Sequence, residues 1–354
     1  MKAVLCKGIG SLEVKEVPTP KVEPGGVLIR VMAASLCGTD LRILDFGHRK
    51  IPEGTERILG HEFSGIVEEI GPGAEGFRVG ERVAVAPNIG CGACEQCVQG
   101  RANLCPQYEA FGISLDGAFA EWIHIPAKAV LQGNIVSIPE TLSFEEAALT
   151  EPLSCVLNGL EACQIRYGDA LLIFGAGPIG LMHLMLGRIS GTRKVIVADI
   201  VEERLRLVKE LGGDAILDSR ARDFKEKVLF ETEGKGPDVI ITACPVPEVQ
   251  EIALEIAARE GRIIFFGGLP QGRETIHCPS NLIHYKNLKV TGVTGGSNIQ
   301  FRRALSLVAS KRIDLKRLIT HSFDIGRAKA AFEVAKGGEG LKVIIHPNIQ
   351  RGAN

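Results

Sequence analysis

A glycine-rich hexapeptide, Gly175-Ala176-Gly177-Pro178-Ile179-Gly180, constrains the fold of this chain more than any other feature. It directly follows an apolar run and opens a helical segment, and Asp199 ends the next apolar run about twenty residues later. The first glycine permits a tight turn, the second lets the backbone approach a pyrophosphate, and the third allows close helix packing. A glycine pattern alone is usually an ordinary turn, but this context predicts a dinucleotide at the helix N-terminus. Asp199 favours NAD over NADP, because it can hold the ribose hydroxyls and would repel a 2′-phosphate.

The segment around this loop alternates short apolar runs with amphipathic stretches, which is typical of βαβ units on a parallel sheet. Six runs, the number in a complete doubly wound dinucleotide fold, are predicted as strands. They are Leu171–Phe174, Val195–Asp199, Ala215–Leu217, Val239–Ala243, Ile263–Phe266 and Leu288–Val293.

The first 150 residues have a different texture, with short β-like runs between glycine and proline turns. Examples are Val27–Val31, Gly65–Val67 and Arg82–Val85. We therefore expect a small, mostly β domain there, and 354 residues suit two domains. After Val293 the chain should return to the first domain, because the remainder is too short to fold alone.

Charge and cysteine usage restrict the partners and the compartment. A formal net charge of -1 gives no global field toward nucleic acid or an anionic membrane, so a small molecule is the expected partner. Ten cysteines without an apolar leader fit a reducing compartment, and we predict a cytoplasmic protein. The uncharged stretch from Ala170 to Gly187 contains four glycines and Pro178, which indicates a buried strand and helix rather than a membrane span.

Four cysteines, Cys91, Cys94, Cys97 and Cys105, follow the spacing C-x2-C-x2-C-x7-C. Four thiolates in a short loop can close a tetrahedral zinc site with no open position, so this ion would be structural. An iron–sulfur cluster is the main rival, although the last gap is seven residues rather than three. Disulfides are disfavoured by the compartment and by the short loops.

Three further motifs join these features: Cys37-Gly38-Thr39-Asp40, Gly60-His61-Glu62 and Glu151-Pro152-Leu153. Together they make the chain resemble the zinc-containing medium-chain dehydrogenases, and in particular the sorbitol and threonine dehydrogenase branch. The resemblance covers essentially the whole length. It implies a Rossmann NAD-binding domain of residues 155–296 and a GroES-like catalytic domain built from residues 1–154 and 297–354.

The family implies a catalytic zinc held by Cys37 and His61, with Glu62 adjacent and Glu151 at the position where alcohol dehydrogenases have cysteine. A carboxylate is a labile ligand that can make room for water or substrate. Asp40 matches the carboxylate that orients the ligand histidine. Without the family, each of these residues has an ordinary structural interpretation. The two motifs together predict two zinc ions per subunit.

The family also implies further roles near substrate and cofactor. Thr39 matches the hydroxyl that accepts the proton of the substrate alcohol, whose pKa the zinc lowers as a Lewis acid. Arg204 matches a position that contacts the adenosine ribose, and Lys342 a basic residue near the pyrophosphate. Both could equally be solvated surface charges.

The sequence departs from the family pattern at two places. Three residues after Thr39 the family usually has a histidine that carries the proton outward, but this chain has Arg42, and His48 in the following loop is a possible substitute. An arginine that reaches toward substrate in the sorbitol and threonine branches is replaced by Val293-Thr294-Gly295-Gly296-Ser297. Smaller residues there suit a bulkier ring, such as a cyclitol, or an extended sugar acid. Three aromatic residues, Phe46, Phe111 and Phe119, are candidates for lining the pocket.

These observations predict an oxidoreductase that transfers a hydride from a secondary hydroxyl of a polyol, cyclitol or sugar derivative to NAD. L-threonine 3-dehydrogenase and a general secondary alcohol dehydrogenase are alternatives, and so is an aldehyde reductase working in the NADH direction. An NAD-binding protein with structural zinc only is the non-enzyme alternative, which the open metal position disfavours. The family implies a homotetramer or homodimer.

Overall fold

The computed structural model describes residues 1–348, which form two compact units. The first contains residues 1–154 and the described residues from 295 onward, and the second is Cys155–Thr294. The second junction lies two residues before the predicted one at 297.

The N-terminal part of the first unit consists mainly of antiparallel strands. Strand β3 is almost wholly buried and pairs with β5 on one side and with β18, near the C-terminus, on the other. Gly65 allows the first pairing, because a Cβ there would lie 2.2 Å from the carbonyl oxygen of Arg30. The elements are β1 (Lys2–Gly8), β2 (Ser11–Glu16), β3 (Val27–Ser35), α1 (Gly38–Phe46), β4 (Arg57–Ile58), β5 (Glu62–Ile70), β6 (Arg82–Val85), β7 (Asn88–Ile89), α2 (Glu95–Val98), β8 (Glu109–Ala110), β9 (Trp122–Ile125), α3 (Ala127–Leu131), β10 (Ile135–Ser137), α4 (Phe144–Ala148) and α5 (Thr150–Ala162), with a 3-10 turn at Ala102–Leu104.

The second unit is a six-stranded parallel sheet with helices between successive strands, which confirms the predicted doubly wound fold. The strand order is β13-β12-β11-β14-β15-β16, so the direction of winding reverses between β11 and β14. Ligands of such sheets bind at the carboxyl ends of the strands at this point. The elements are β11 (Ala170–Phe174), α6 (Pro178–Ile189), β12 (Lys194–Asp199), α7 (Glu202–Glu210), β13 (Ala215–Asp218), α8 (Phe224–Glu231), β14 (Val239–Thr242), α9 (Pro247–Ile256), β15 (Arg262–Phe265), α10 (Ser280–Lys286) and β16 (Lys289–Gly292).

The C-terminal segment completes the sheet of the first unit. Strand β18 lies between β3 and β17, and the sheet runs β10-β6-β5-β3-β18-β17, with β9 also paired to β3. The elements are α11 (Asn298–Ala309), β17 (Ile319–Asp324), α12 (Ala328–Gly337) and β18 (Lys342–His346), with 3-10 turns at Leu315–Leu318 and Ile325–Arg327.

Two of the aromatic residues considered for the pocket belong to the core of the first unit. Phe111 packs edge-to-face on Phe63 and Phe119 on Phe332, with centroid separations of 5.9 and 5.8 Å. Both are essentially inaccessible to solvent, so their predicted place in a pocket is wrong. Phe46 is largely exposed at the end of α1.

The uncharged stretch beginning at Ala170 forms β11 and most of α6, as predicted. Among residues 1–348 there is no helix with the length and apolar character needed to cross a membrane.

Candidate active site and metal centres

Strand register brings Cys37 and His61 together although 24 positions separate them in sequence (61 minus 37). Ser35 at the end of β3 pairs with Glu62 at the start of β5. The next residues on each chain, Cys37 and His61, therefore emerge at the same edge of the sheet. Cys37 caps the N-terminus of α1, and the backbone there is fixed by its own amide, which donates to Asp40 Oδ2 at 2.9 Å.

The potential ligand atoms of Cys37, His61 and Glu62 all lie within 4.8 Å of one another. Asp40 is completely buried, and its Oδ1 lies 3.5 Å from His61 Nδ1 while accepting the Gly60 amide at 3.2 Å. Burial disfavours the imidazolium, but the negative charges of Asp40 and Cys37 outweigh it and raise the pKa of His61 well above its ordinary value. The ring thus lies between two anionic groups.

Lys342 lies on the other side of Glu62, in the first unit. Its Nζ donates to Glu62 Oε2 at 2.5 Å and to the Leu36 carbonyl at 2.9 Å, and the residue is 4% exposed. Burial alone would lower the pKa of Lys342, but Glu62, Cys37 and Glu151 raise it above the ordinary value. Its ammonium is therefore engaged by Glu62, and the predicted contact with a pyrophosphate remains a prediction.

The donor set fits a divalent cation. Glu62 Oε1 and His61 Nδ1 are buried without a hydrogen-bond partner, so both residues retain unused polar capacity. With Cys37 as thiolate, the anionic groups outnumber the single lysine in a buried region, which a positive ion would compensate. Thiolate, imidazole and carboxylate are all zinc ligands.

Glu151 is 7% exposed at the start of α5, but its carboxylate is not among the atoms that cluster within 4.8 Å. Its charge nevertheless acts on Lys342. The structure thus brings together three of the four predicted catalytic-zinc ligands and places the fourth nearby.

Thr39 follows Cys37 by two positions and is half-buried in the first turn of α1. Arg42 Nη2 donates a hydrogen bond to Thr39 Oγ1 at 3.2 Å. A guanidinium stays protonated and has no acceptor, so Arg42 cannot take over the proton from Thr39. The alternative of Arg42 as a member of the proton relay is thereby excluded on chemical grounds.

His48 lies in the loop after α1, and its Nδ1 accepts the Lys50 amide at 3.2 Å. Burial and the positive charges of Arg49, Lys50 and Arg42 lower its pKa. The imidazole is therefore mainly neutral at physiological pH and able to accept a proton. No contact joins His48 directly to Thr39 among those found within residues 1–348.

The four-cysteine loop has the dimensions of a single tetrahedral ion. A Zn–S distance of about 2.3 Å requires sulfur–sulfur edges of about 3.8 Å. The separations are 3.7 Å for Cys94–Cys105 and 4.0 Å for Cys91–Cys97. All four ligand atoms lie within 4.8 Å of one another. These edges leave no room for the several atoms of an iron–sulfur cluster, and they are far longer than a disulfide bond of about 2.05 Å.

Local backbone contacts prepare this loop for metal. Amides of Ala93 and Cys94 donate to the Cys91 sulfur and lower the pKa of Cys91 to about 6, so that its thiolate predominates at neutral pH. Gly90 is required for close packing, because a Cβ there would meet the Cys97 sulfur at 2.3 Å.

The glycine loop has the predicted strand–turn–helix geometry. Gly175 follows β11 with φ +100°, and Gly177 caps α6, with Pro178 and Ile179 in the first turn. A Cβ on Gly180 would lie 1.7 Å from the Gly175 carbonyl oxygen, whereas one on Gly177 would meet nothing within 4 Å. The third glycine is thus needed for packing, and the second leaves open space where a phosphate can approach the helix N-terminus.

Asp199 ends β12 as predicted, and its carboxylate already accepts three amides. These come from Ala176 at 2.5 Å, Ile200 at 2.6 Å and Val201 at 2.9 Å. An ionised carboxylate has about four acceptor positions. Roughly one therefore remains for a ribose hydroxyl, fewer than the two hydroxyl contacts expected from the sequence. Arg204 is half-buried in α7, in the same unit.

Comparison with known proteins places the chain. Residues 23–139 match the alcohol dehydrogenase GroES-like domain, and residues 178–310 match the zinc-binding dehydrogenase domain. L-threonine 3-dehydrogenase of Pyrococcus horikoshii is 36% identical over 94% of each chain, and sorbitol dehydrogenase of Bacillus subtilis is 31% identical over 98% of each. A dehydrogenase structure from Sinorhizobium meliloti bound to NADP superposes with a TM-score of 0.90, at 33% identity over 98% of this chain and 99% of that one. The chain belongs to the zinc-containing medium-chain dehydrogenases.

Membership confirms several predictions made from the sequence. This medium-chain dehydrogenase is a zinc-dependent oxidoreductase with a GroES-like domain and a Rossmann domain, and it uses a nicotinamide dinucleotide. The metal assignment also resolves the alternatives for the four-cysteine loop in favour of zinc.

Sequence reasoning missed the environment of Lys342 and the contact made by Arg42. A signal for the first was present, because Lys342 interrupts the otherwise apolar run Leu341–Ile345, and a lysine in a buried strand requires an acidic partner. The hydrogen bond from Arg42 to Thr39 follows from their three-residue spacing on α1.

Proposed function

We propose that this enzyme oxidises a secondary hydroxyl of a polyol, cyclitol or sugar derivative to a ketone, with NAD as hydride acceptor. The observation that carries the proposal is the buried cluster of Cys37, His61 and Glu62, with the Thr39 hydroxyl two residues from the cysteine. A site with only a structural role would need no carboxylate oxygen left without a partner, as Glu62 Oε1 is.

In this proposal Cys37, His61, Glu62 and Glu151 hold the catalytic zinc, which when bound polarises the substrate oxygen and lowers the pKa of its hydroxyl. Asp40 holds the imidazole of His61 in orientation, since its oxygen lies 3.5 Å from Nδ1. Lys342 keeps one oxygen of Glu62 engaged and so directs the other toward the cluster.

Thr39 accepts the proton of the substrate hydroxyl. The permanent charge of Arg42, 3.2 Å from Thr39 Oγ1, stabilises negative charge that develops on the two oxygens. Arg42 cannot carry the proton farther, so release passes to solvent or, through water, to neutral His48.

For the cofactor, we propose that Gly175, Gly177 and Gly180 with the α6 N-terminus bind the pyrophosphate. Asp199 would bind the ribose with Arg204 beside it. The neutral side chain of Ile200 directly after Asp199 offers no cation to a 2′-phosphate, which favours NAD.

L-threonine 3-dehydrogenase is a second candidate, supported by the 36% identity to a relative of that name. A homotetramer or homodimer and a cytoplasmic location remain predictions from the family and from cysteine usage.

The test is NADH formation by zinc-quantified protein on polyols, cyclitols, sugar acids, simple secondary alcohols and L-threonine. Turnover on one class, with about two zinc ions per subunit, supports the proposal and selects between the candidates. Repeating the assay with NADP tests the cofactor. Silence across the panel despite full zinc and tight NAD binding would favour a binding protein instead.

A further inference from the structure

We propose that the substrate carries an anionic group, a carboxylate or a phosphate, and that Arg42, Arg49 and Lys50 bind this group beside Thr39. The inference rests on the proposed function, because it specifies the substrate of that same site. It narrows the class from hydroxy compounds in general to sugar acids or sugar phosphates.

The first observation is the position of Arg42. Its guanidinium donates to Thr39 Oγ1 at 3.2 Å, so a permanent positive charge lies directly beside the hydroxyl that would contact the substrate oxygen. The side chain is otherwise exposed, and its remaining N–H groups are available to a ligand.

The second observation is that two more cations approach the same place. Arg49 and Lys50 lie in the loop that follows α1, and both act together with Arg42 on the half-buried ring of His48. All three charges lower the pKa of His48, which shows that they surround one ring rather than pointing apart. Burial and Arg49 also lower the pKa of Lys50.

The third observation is that the acidic neighbours are engaged elsewhere. Asp45 on α1 pairs with Lys336 at 2.6 Å, and Glu109 pairs with Lys128 at 3.0 Å, although the charge of Glu109 is still felt by Lys50. Within residues 1–348, neither Arg42 nor Arg49 has a carboxylate within ion-pair distance, 4.0 Å.

Lys50 makes no ion pair with a carboxylate in the described part of the chain either. Its ammonium contacts the carbonyl of Tyr108 and lies 3.3 Å from the centroid of the Tyr108 ring. These contacts hold the lysine in place without neutralising it.

Three like charges close together repel one another, and the protein gains nothing structural from that repulsion. An anion bound among them relieves it. The planar fork of arginine matches the two oxygens of a carboxylate or phosphate, and a compact lysine ammonium adds a point charge. The chain as a whole has a net charge of -1, so this positive cluster is a local feature and not a reflection of overall basicity.

A matched series of substrates tests the inference: sorbitol, gluconate and glucitol 6-phosphate, each assayed with NAD at low and high salt. The expected result is a kcat/KM at least about tenfold higher for an anionic member than for sorbitol, the factor that one charge-assisted hydrogen bond supplies. This preference should fall as salt rises, because exposed charges are screened. Comparison of the gluconate and phosphate arms identifies which anion is recognised.

Arg49→Gln should reduce the ratio of anionic to neutral kcat/KM by about fivefold to tenfold. Arg78→Gln is the matched control, since it removes an exposed arginine of the same unit. Arg78 follows the far end of β5, whose 9 residues span about 26 Å from Glu62 at the usual strand rise. This control should leave the ratio unchanged.

The outcomes separate the two proposals. Equal kcat/KM for sorbitol and both anions, with no salt dependence, would overturn the anionic substrate and leave the dehydrogenase function intact. No turnover at all by zinc-replete protein would overturn the function. In that case the anion site is judged by the thermal shift that inorganic phosphate produces at saturating NAD, which occupies the glycine loop. The same shift in wild type and Arg49→Gln would overturn it.

Discussion

Replacement of His183 by leucine should make the enzyme more stable, and increasingly so as the pH falls. His183 lies in the middle of α6 and is completely buried, and neither ring nitrogen has a hydrogen-bond partner. The ring packs edge-to-face on Phe266, with centroids 4.8 Å apart, and against the backbone at Gly159. Leucine has a similar volume and needs no polar partner.

The magnitude at neutral pH follows from two opposing terms. An unsatisfied buried polar group costs about 1–3 kcal/mol, which the substitution removes. Loss of the edge-to-face contact costs about 0.5–1.5 kcal/mol. We therefore expect His183→Leu to raise the free energy of unfolding by about 1 kcal/mol at pH 7.5.

The pH dependence adds to this difference. Burial lowers the pKa of His183 to about 3, whereas the imidazole of an unfolded chain has a pKa of about 6.5. Below pH 6.5 the unfolded state binds a proton that the folded state does not. The wild type therefore loses about 1.4 kcal/mol for each pH unit between 6.5 and 3 relative to the variant. At pH 4.5 the advantage of the variant should have grown by about 2.7 kcal/mol.

Urea unfolding followed by circular dichroism at pH 7.5, 6.0, 5.0 and 4.5 measures the difference, with NAD absent and zinc content matched. Because both proteins share every other titrating group, the difference between them isolates His183. His277→Leu removes an exposed imidazole from the same unit and provides the baseline. A difference between wild type and His183→Leu that stays constant with pH would refute the buried neutral imidazole.

Three further changes test the candidate sites. Asp199→Ser should narrow the preference for NAD over NADP by at least about tenfold, because it removes the charge that repels a 2′-phosphate; an unchanged ratio of kcat/KM for the two cofactors would contradict its role. Glu151→Ala should lower kcat at least about a hundredfold with the circular dichroism spectrum intact, if the carboxylate belongs to the catalytic metal site, and unaltered turnover would remove it from that site. Cys94→Ala should lower zinc from about two ions per subunit to about one and reduce the thermal midpoint before it affects turnover, whereas a stable variant with full zinc would exclude a structural site.

The sequence determined the local elements, because their signals are short in range. The glycine spacing with Asp199 predicted the β11–α6–β12 unit, and the apolar runs predicted the six strands with ends displaced by only one or two residues. The four cysteines lie within fifteen positions (91 to 105), so their convergence is set by one loop and could be read from spacing alone. Cys37, His61 and Glu151 were assigned through the family resemblance, since each residue by itself has an ordinary structural interpretation.

Only the tertiary structure decided what surrounds these residues. Lys342 reaches Glu62 because β18 joins the sheet beside β3, a pairing between positions 280 residues apart that no local pattern encodes. The three amides on Asp199 come from two separate segments and reduce its capacity for ribose. Phe111 and Phe119 carry no sequence signal that separates pocket from core, and long-range packing placed them in the core. Charge balance and burial depend on which segments meet, and that is fixed only when the whole chain has folded.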